Sequence, residues 1–152
     1  ETLNFMGKHM ALKRRSAWYA DYGKNYKYSG VTKEPHLLNR EIKFIKFLIE
    51  KETKYFFNSV LLNEYSDGTV GMGWHSDDEK ELGLHPIIAS ISLGASRDMY
   101  FKNIKSKKLK LFIENGSLLI MKGKTQSFWK HTIPKRLKIK DGRINLTFRS
   151  II

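Results

Sequence analysis

Asn63-Glu64-Tyr65-Ser66-Asp67-Gly68-Thr69-Val70-Gly71-Met72-Gly73-Trp74-His75-Ser76-Asp77-Asp78 is the stretch around which the rest of the chain can be arranged. It joins two candidate strands, 56–65 and 70–75, and ends on a candidate metal half-site, His75-Ser76-Asp77. In an extended segment, side chains two positions apart share a face. His75 and Asp77 can then reach one ion while Ser76 points away. One imidazole, one carboxylate and a second imidazole from elsewhere form the facial triad of non-haem Fe(II) sites, which leaves positions open on the metal. Taken alone, the tripeptide reads more simply as a polar turn between strands. The surrounding segments decide between the two.

From residue 55 onward the chain is a series of short candidate strands: 56–65, 70–75, 87–94, 98–102, 109–113, 117–121, 128–132 and 143–149. Gly, Asn, Asp and Pro punctuate many of the gaps. Such a series predicts a sandwich or barrel. Lys102 to Lys110 reads as an exposed hairpin loop. Between Pro35 and Lys54, Ile42, Phe44, Ile45, Leu48 and Ile49 recur at helical spacing, with Asn39 placed to cap a helix that packs on the sheet.

The last candidate strand, Arg143-Ile144-Asn145-Leu146-Thr147-Phe148-Arg149, alternates strictly. Arg143, Asn145, Thr147 and Arg149 fall on one face; Ile144, Leu146 and Phe148 fall on the other. Guanidiniums on the face of a central strand require acidic partners, because burying one unpaired costs several kcal/mol. A dicarboxylic co-substrate would answer that need through a bidentate fork. A protein salt bridge or an exposed edge strand would answer it as well. Asn63 and Tyr65 share another strand face and could hydrogen-bond the same small acid. The second imidazole is best supplied by His131, 56 positions after His75 and on a separate candidate strand. His9, His36 and His85 lie in a basic arm, before the helix and in a loop.

Composition frames these choices. The 152 residues suffice for one domain, and 41% hydrophobic with 28% charged residues suit a soluble globular protein. There is no cysteine, which excludes disulfides, thiolate zinc sites and cysteine nucleophiles and suits an intracellular protein. No apolar run is long enough for a membrane helix, and no signal peptide is visible. The chain starts at Glu1, so a segment could precede it. The net charge of +13 points to a polyanion, most often nucleic acid. A lysine coat serving solubility is the plainer reading. Residues 1–16 cluster Lys8, His9, Lys13, Arg14 and Arg15, either a phosphate-contacting edge or a solvated arm. Residues 17–30 interleave Trp18, Tyr19, Tyr22, Tyr26 and Tyr28 with Lys24 and Lys27, as base stacking beside phosphates or half-buried strand aromatics would.

These motifs together resemble the AlkB family of Fe(II)- and 2-oxoglutarate-dependent dioxygenases, which repair alkylated nucleic acid. The resemblance is carried by Asn63-Glu64-Tyr65, His75 to Glu79, Ile88 to Asp98, Asn115-Gly116-Ser117-Leu118-Leu119, Trp129-Lys130-His131 and the final Arg143–Arg149 strand. It covers Ala17 to the C-terminus and extends more loosely back to Phe5. It implies a mainly β (α+β) fold, a double-stranded β-helix or jelly roll with supporting helices. A single domain over 1–152 would hold a nucleotide-recognition segment at 1–30 and a jelly-roll core at 55–152.

The resemblance also implies site roles. His75, Asp77 and His131 would hold Fe(II). Arg149 would grip a carboxylate of 2-oxoglutarate and Arg143 would contact the far part of the site, with Asn63, Tyr65 and Asn145 completing the pocket. O2 would be the oxidant. Glu79 would read the damaged base, Tyr19 would serve as a base-pocket aromatic, and Arg97 would contact the nucleic-acid backbone. Met6, beside Phe5 and Gly7, would wedge into the gap left by a flipped base, and Trp74 would lie against substrate. The implied activity is oxidative demethylation of bases such as 1-methyladenine and 3-methylcytosine in DNA, with RNA as the alternative, releasing formaldehyde and succinate. The protein would act as a monomer away from membranes, in the cytoplasm or nucleoid if bacterial and in the nucleus if eukaryotic. Lys13-Arg14 stands where the family has Pro-Arg, Ala20 stands where it has Gly, and the Lys102–Lys108 loop is short. These departures bear on substrate preference. Rival readings are an oxygenase of a different substrate, a nucleic-acid-binding module with an inactive metal site, and a zinc hydrolase.

Overall fold

The computed structural model describes the backbone of residues 2–5, 8–11, 14–21, 26–28, 31–33 and 35–152, and the side chains of 14–21 and 35–152. In chain order the elements are β1 (Thr2–Phe5), β2 (Lys8–Ala11), β3 (Arg15–Ala20), β4 (Tyr26–Tyr28), β5 (Val31–Lys33), β6 (His36–Leu37) and α1 (Arg40–Thr53). Then come β7 (Ser59–Tyr65), β8 (Met72–His75), a 3-10 turn (Lys80–Leu82), β9 (Ile88–Gly94), β10 (Arg97–Asn103) and β11 (Lys108–Ile113). β12 (Leu118–Met121), α2 (Thr125–Phe128), β13 (Trp129–Ile133) and β14 (Arg143–Arg149) complete the chain. Met6 lies outside the described residues.

Two sheets face each other as a jelly roll. The larger runs β12-β9-β14-β7-β3-β6 and the smaller β11-β10-β13-β8. β1-β2 and β4-β5 form separate two-stranded ribbons. Among the described residues every pairing is antiparallel except β3 with β6. β14 is central: Asn145 lies opposite Asn63 on one side and Ser92 on the other. Alternation then sorts the larger sheet. Leu146, Phe148, Val60 and Ala89 face outward under α1. Tyr65, Ile88 and Met121 face inward to meet Met99, Phe101 and Ile133 of the smaller sheet. The expected alternation of the last strand is what the structure shows.

α1 begins where Asn39 Oδ1 accepts the Ile42 N–H at 2.9 Å, the usual way to satisfy an orphan amide of the first turn. It ends at Lys54, in the left-handed region at φ 63°, with its N–H on Glu50 O. Only part of its apolar set reaches the sheet. Ile42, Ile45 and Ile49 pack against it, whereas Phe44, Phe47 and Leu48 are 61%, 58% and 47% exposed. A 3.6-residue period cannot bring both groups to one face.

Two expectations are corrected here. Arg97 was expected on the nucleic-acid backbone, but it is 1% exposed. Its guanidinium donates to the carbonyls of Asp67, Val70 and Pro134 at 3.3, 2.9 and 2.8 Å. It cannot reach a phosphate. It staples the β7–β8 connection to the segment after β13, where Gly68 lies so close to Arg136 O that a Cβ would meet it at 1.8 Å. Tyr19 was expected in the base pocket. It lies opposite Val60 in the β3–β7 register and packs with the outward cluster under α1, its ring 5.3 Å from that of His36. Trp18, opposite Leu61, is the β3 aromatic on the inner face.

Among the described residues no helix is long and apolar enough to cross a membrane. The Lys102–Lys110 segment is mostly strand. β10 and β11 pair from Arg97↔Ile113 to Lys102↔Lys108, leaving a tight turn.

Candidate active site

β13 and β8 are neighbours in the smaller sheet, and His131 lies directly opposite His75. Their rings stand 4.2 Å apart between centroids. Asp77, two residues beyond the end of β8, turns its carboxylate to within 3.9 Å of His75 Nε2. One donor atom from each of His75, Asp77 and His131 lies within 4.8 Å of the others. The sheet register thus does for His131 what sequence separation concealed: residues 56 positions apart become cross-strand partners.

The surroundings of the three side chains suit an ion. His75 Nδ1 lies 2.9 Å from Gly73 O. Donation from Nδ1 to that carbonyl would leave Nε2 free for an ion, the common arrangement for a ligating histidine. Burial pulls His131 down to a pKa of about 4, helped by His75 and opposed by Asp77. It is therefore neutral at physiological pH, the form that binds metal. Burial pushes the Asp77 carboxyl up, but Arg149, His131 and His75 together outweigh it and hold the group below its ordinary value. Arg149 Nη2 is 3.0 Å from Asp77 Oδ1, with both side chains buried.

One cavity between the sheets is lined by His75, Asp77, His131, Asn63, Tyr65, Arg143, Asn145 and Arg149. All eight metal and co-substrate candidates therefore meet in one place. Its far end is built around Arg143. Burial lowers this group's pKa, while Tyr65 opposes the shift. Its Nη2 donates to Ser92 Oγ at 2.8 Å, and its guanidinium carbon stands 5.0 Å from the Tyr65 ring centroid. Nε and Nη1 of Arg143 are buried without a hydrogen-bond partner. Buried guanidinium N–H groups left unmet are costly, and a carboxylate is a group that can accept from them. Asn145 is held by Ser90 Oγ and Ile91 O, accepting in turn from Thr147.

Several participants were not singled out in the sequence. Ser90 and Ser92 alternate with apolar residues in Ala89-Ser90-Ile91-Ser92, the pattern of a strand with one polar inner face. Arg14, grouped above with the basic arm, is 7% exposed, and its Nε donates to Asn63 Oδ1 at 2.9 Å. Arg15 is the exposed member, paired with Glu64 at 2.6 Å. Gln126, in the one-turn α2, accepts the Asp77 backbone N–H on Oε1 at 2.9 Å. No local pattern marks it. Glu79 stands at the start of the 3-10 turn after the candidate metal ligands, without a side-chain cap, and keeps Oε2 buried without a partner. Trp74 projects from the opposite face of β8 to His75; it is 41% exposed with Lys102 Nζ 4.5 Å from its ring.

The chain belongs to the 2OG-Fe(II) oxygenase superfamily, whose family model matches residues 2–149. The donor set agrees: two imidazoles and a carboxylate suit Fe(II), and the unmet N–H groups of Arg143 suit a dicarboxylic acid such as 2-oxoglutarate. More narrowly, its similarity is to proteins of the AlkB type. It is 37% identical over 155 residues to the DNA oxidative demethylase ALKBH2 of Bos taurus, an alignment covering 96% of this chain and 56% of that protein. It is 38% identical over 149 residues to the human alpha-ketoglutarate-dependent dioxygenase alkB homolog 3, covering 91% and 51%. The chain thus spans about half the length of the curated relatives it matches. Among solved structures, that of OsALKBH1 shares the fold, with a TM-score of 0.68 at 19% identity over 91% of this chain and 78% of that one.

Proposed function

We propose that this protein removes N-linked alkyl groups from nucleic-acid bases by oxidation, with Fe(II), 2-oxoglutarate and O2. The observation that carries the reading is one cavity holding the His75–Asp77–His131 donor set and, on β14, the Arg143 guanidinium with Nε and Nη1 unmet. Bound Fe(II) with 2-oxoglutarate and O2 would supply the oxidising power to hydroxylate an N-methyl group, which then leaves as formaldehyde while the co-acid becomes succinate and CO2.

The chain's own residues would do the positioning. Arg143 would take the carboxylate remote from the metal in a bidentate fork, steadied by Ser92 and Tyr65. Asn63, Tyr65 and Asn145 would offer hydrogen bonds along the pocket. Arg149 would hold Asp77 in its ligating position and face the carboxylate on the metal side. The inward Met72, Met99, Met121 and Ile133 would keep bulk water from the reacting end. Glu79, with its buried unmet oxygen, would accept a hydrogen bond from the substrate base.

The substrate class rests on the net charge of +13 and on the names of the relatives. A methyl group on a base-pairing nitrogen is hidden in a duplex, so the base must be flipped or already single-stranded. Residues 1–30 would serve substrate recognition, with Met6 as the wedge, around a core at 55–152 in one domain. A monomer acting inside the cell suffices for this role.

The test is formaldehyde and succinate release from a 3-methylcytosine oligonucleotide, single-stranded and duplex, with His131→Ala as control. Release that depends on Fe(II) and 2-oxoglutarate and vanishes in the variant supports the reading. Succinate release without base repair would keep the iron site and remove the substrate. No succinate, with tight oligonucleotide binding, would favour a binding module instead.

A further inference from the structure

A second concave surface leads away from the metal site. It starts beside Ser76 and Asp78, the residues flanking Asp77, and continues past Phe128 and Ile104 to Lys105, Lys122 and Lys124. One wall is the β10–β11 turn and the other is the β12–β13 connection. The walls are tied by the Ile104 N–H donating to Phe128 O at 3.2 Å, so the groove is part of the fold rather than a gap between loose loops.

Its chemistry is lopsided. Lys102 and Lys130 line the half next to the site, where Asp78 is the one carboxylate. The remote half carries lysines and no acid. Among the described residues no carboxylate pairs with any of these five lysines. Lys102 also lies directly opposite both Lys130 and Lys108 across adjacent strands. Like charges in register destabilise a sheet, and a bound anion would relieve them. Apolar surface is exposed along the same path: Phe128 is 41% and Ile104 71% exposed. Lys124 Nζ stands 5.6 Å from the Phe128 ring centroid. Lysines beside an open aromatic ring are the pattern that binds single strands, with phosphates on the cations and a base on the ring. A duplex offers no free base face to Phe128.

We infer that this groove carries the single strand that continues from the target base, with its phosphates on Lys105, Lys122 and Lys124 and one base against Phe128. The inference deepens the proposed function and names the path of its substrate.

The test compares two double variants of equal charge change. Lys122→Glu/Lys124→Glu alters the groove; Lys43→Glu/Lys51→Glu alters two exposed residues of α1, neither of which lines it. Binding of a labelled oligothymidylate of about 15 nucleotides is followed by anisotropy as salt is varied. The groove variant is expected to bind tenfold or more weakly, with a log–log salt slope shallower by about 1.4, the contribution of two single-strand phosphate contacts. The α1 variant is expected to change little. Phe128→Ala is expected to lose about tenfold on the oligonucleotide and nothing on polyglutamate. Equal losses in the two double variants, or equal loss on polyglutamate, would overturn the groove and leave the proposed function standing. A wild-type protein that binds no single strand overturns the groove, and demethylation of a duplex oligonucleotide would still support the proposed function. Groove-dependent binding without demethylation would overturn the proposed function alone.

Discussion

Arg149 and Asp77 form a buried ion pair, 3.0 Å from Nη2 to Oδ1, at the end of the cavity that holds His75 and His131. The pair joins the last strand of the larger sheet to a candidate metal ligand supplied by the smaller one. Breaking a buried pair from one side costs about 3–5 kcal/mol, because the remaining charge is left uncompensated. Here the remaining charge would be Asp77, and a divalent ion can compensate it. Arg149→Met should therefore lower the melting temperature of the metal-free protein by about 10 °C. The loss should be clearly smaller with saturating Co(II). Equal losses with and without the ion would show that Arg149 supports the fold and not the ligand.

Gln126 bears on the same carboxylate through the backbone. Its Oε1 accepts the Asp77 N–H, and its Nε2 lies 3.5 Å from Met121 Sδ. α2 thus fixes the Asp77 backbone from the connection that leads into His131. Groups that orient metal ligands typically alter affinity by about 10–100-fold when removed. Gln126→Met, which keeps the length and deletes the acceptor, should weaken Co(II) binding within that range. Asp77 N–H would lose its partner, so a drop of about 1–3 kcal/mol in stability accompanies it. Gln126→Glu restores an acceptor and should recover the Co(II) absorption spectrum more fully than it recovers stability. An unchanged Co(II) affinity in Gln126→Met would remove Gln126 from the site.

What was legible in the sequence followed period and register. The alternation of Arg143 to Arg149 sorted the inner and outer faces of β14, and the spacing of His75 and Asp77 survived although Asp77 lies past the strand end. The cap at Asn39 was also readable, because a helix start has a local chemistry. Whatever depends on which residue faces which across the fold was not. Tyr19 and Trp18 are adjacent aromatics, and only pairing with β7 puts Trp18 inward. Arg14 and Arg15 are both basic, yet one is buried beside Asn63 and the other is on the surface. Gln126 acts through a backbone amide 49 residues away, which no motif encodes.

Arg97 shows how a charge can mislead. Its guanidinium holds three backbone carbonyls, and its carbon stands 5.7 Å from the Tyr65 ring centroid. Tyr65 therefore has Arg97 and Arg143 within cation–π reach. Arg97→Gln should destabilise the protein by about 3 kcal/mol or more, since several hydrogen bonds to a buried charged donor are lost together. Chemical denaturation measures that loss. Oligonucleotide affinity per folded molecule and its salt slope should stay as in wild type. A shallower slope would return Arg97 to the phosphate backbone.

Asp98 makes the pH dependence of the smaller sheet predictable. Arg136 reaches its Oδ2 at 2.7 Å and Lys110 its Oδ1 at 3.0 Å. Hydrogen bonds from Arg136 and then Lys110 hold its carboxyl below the ordinary value, with burial opposing. A carboxyl whose folded pKa is depressed binds protons less readily in the native state than in the unfolded chain. Its contribution is complete above the unfolded value of about 3.9 and is lost as pH falls through the lower folded value. The group is near the surface, so the contribution is about 1 kcal/mol. Asp98→Asn should reduce stability by that amount at pH 7, and wild type and variant should converge as pH falls below about 4. Urea titrations across that range measure it. A gap that stays constant down to the acid transition would mean that Asp98 acts as a neutral hydrogen-bond acceptor and not through its charge.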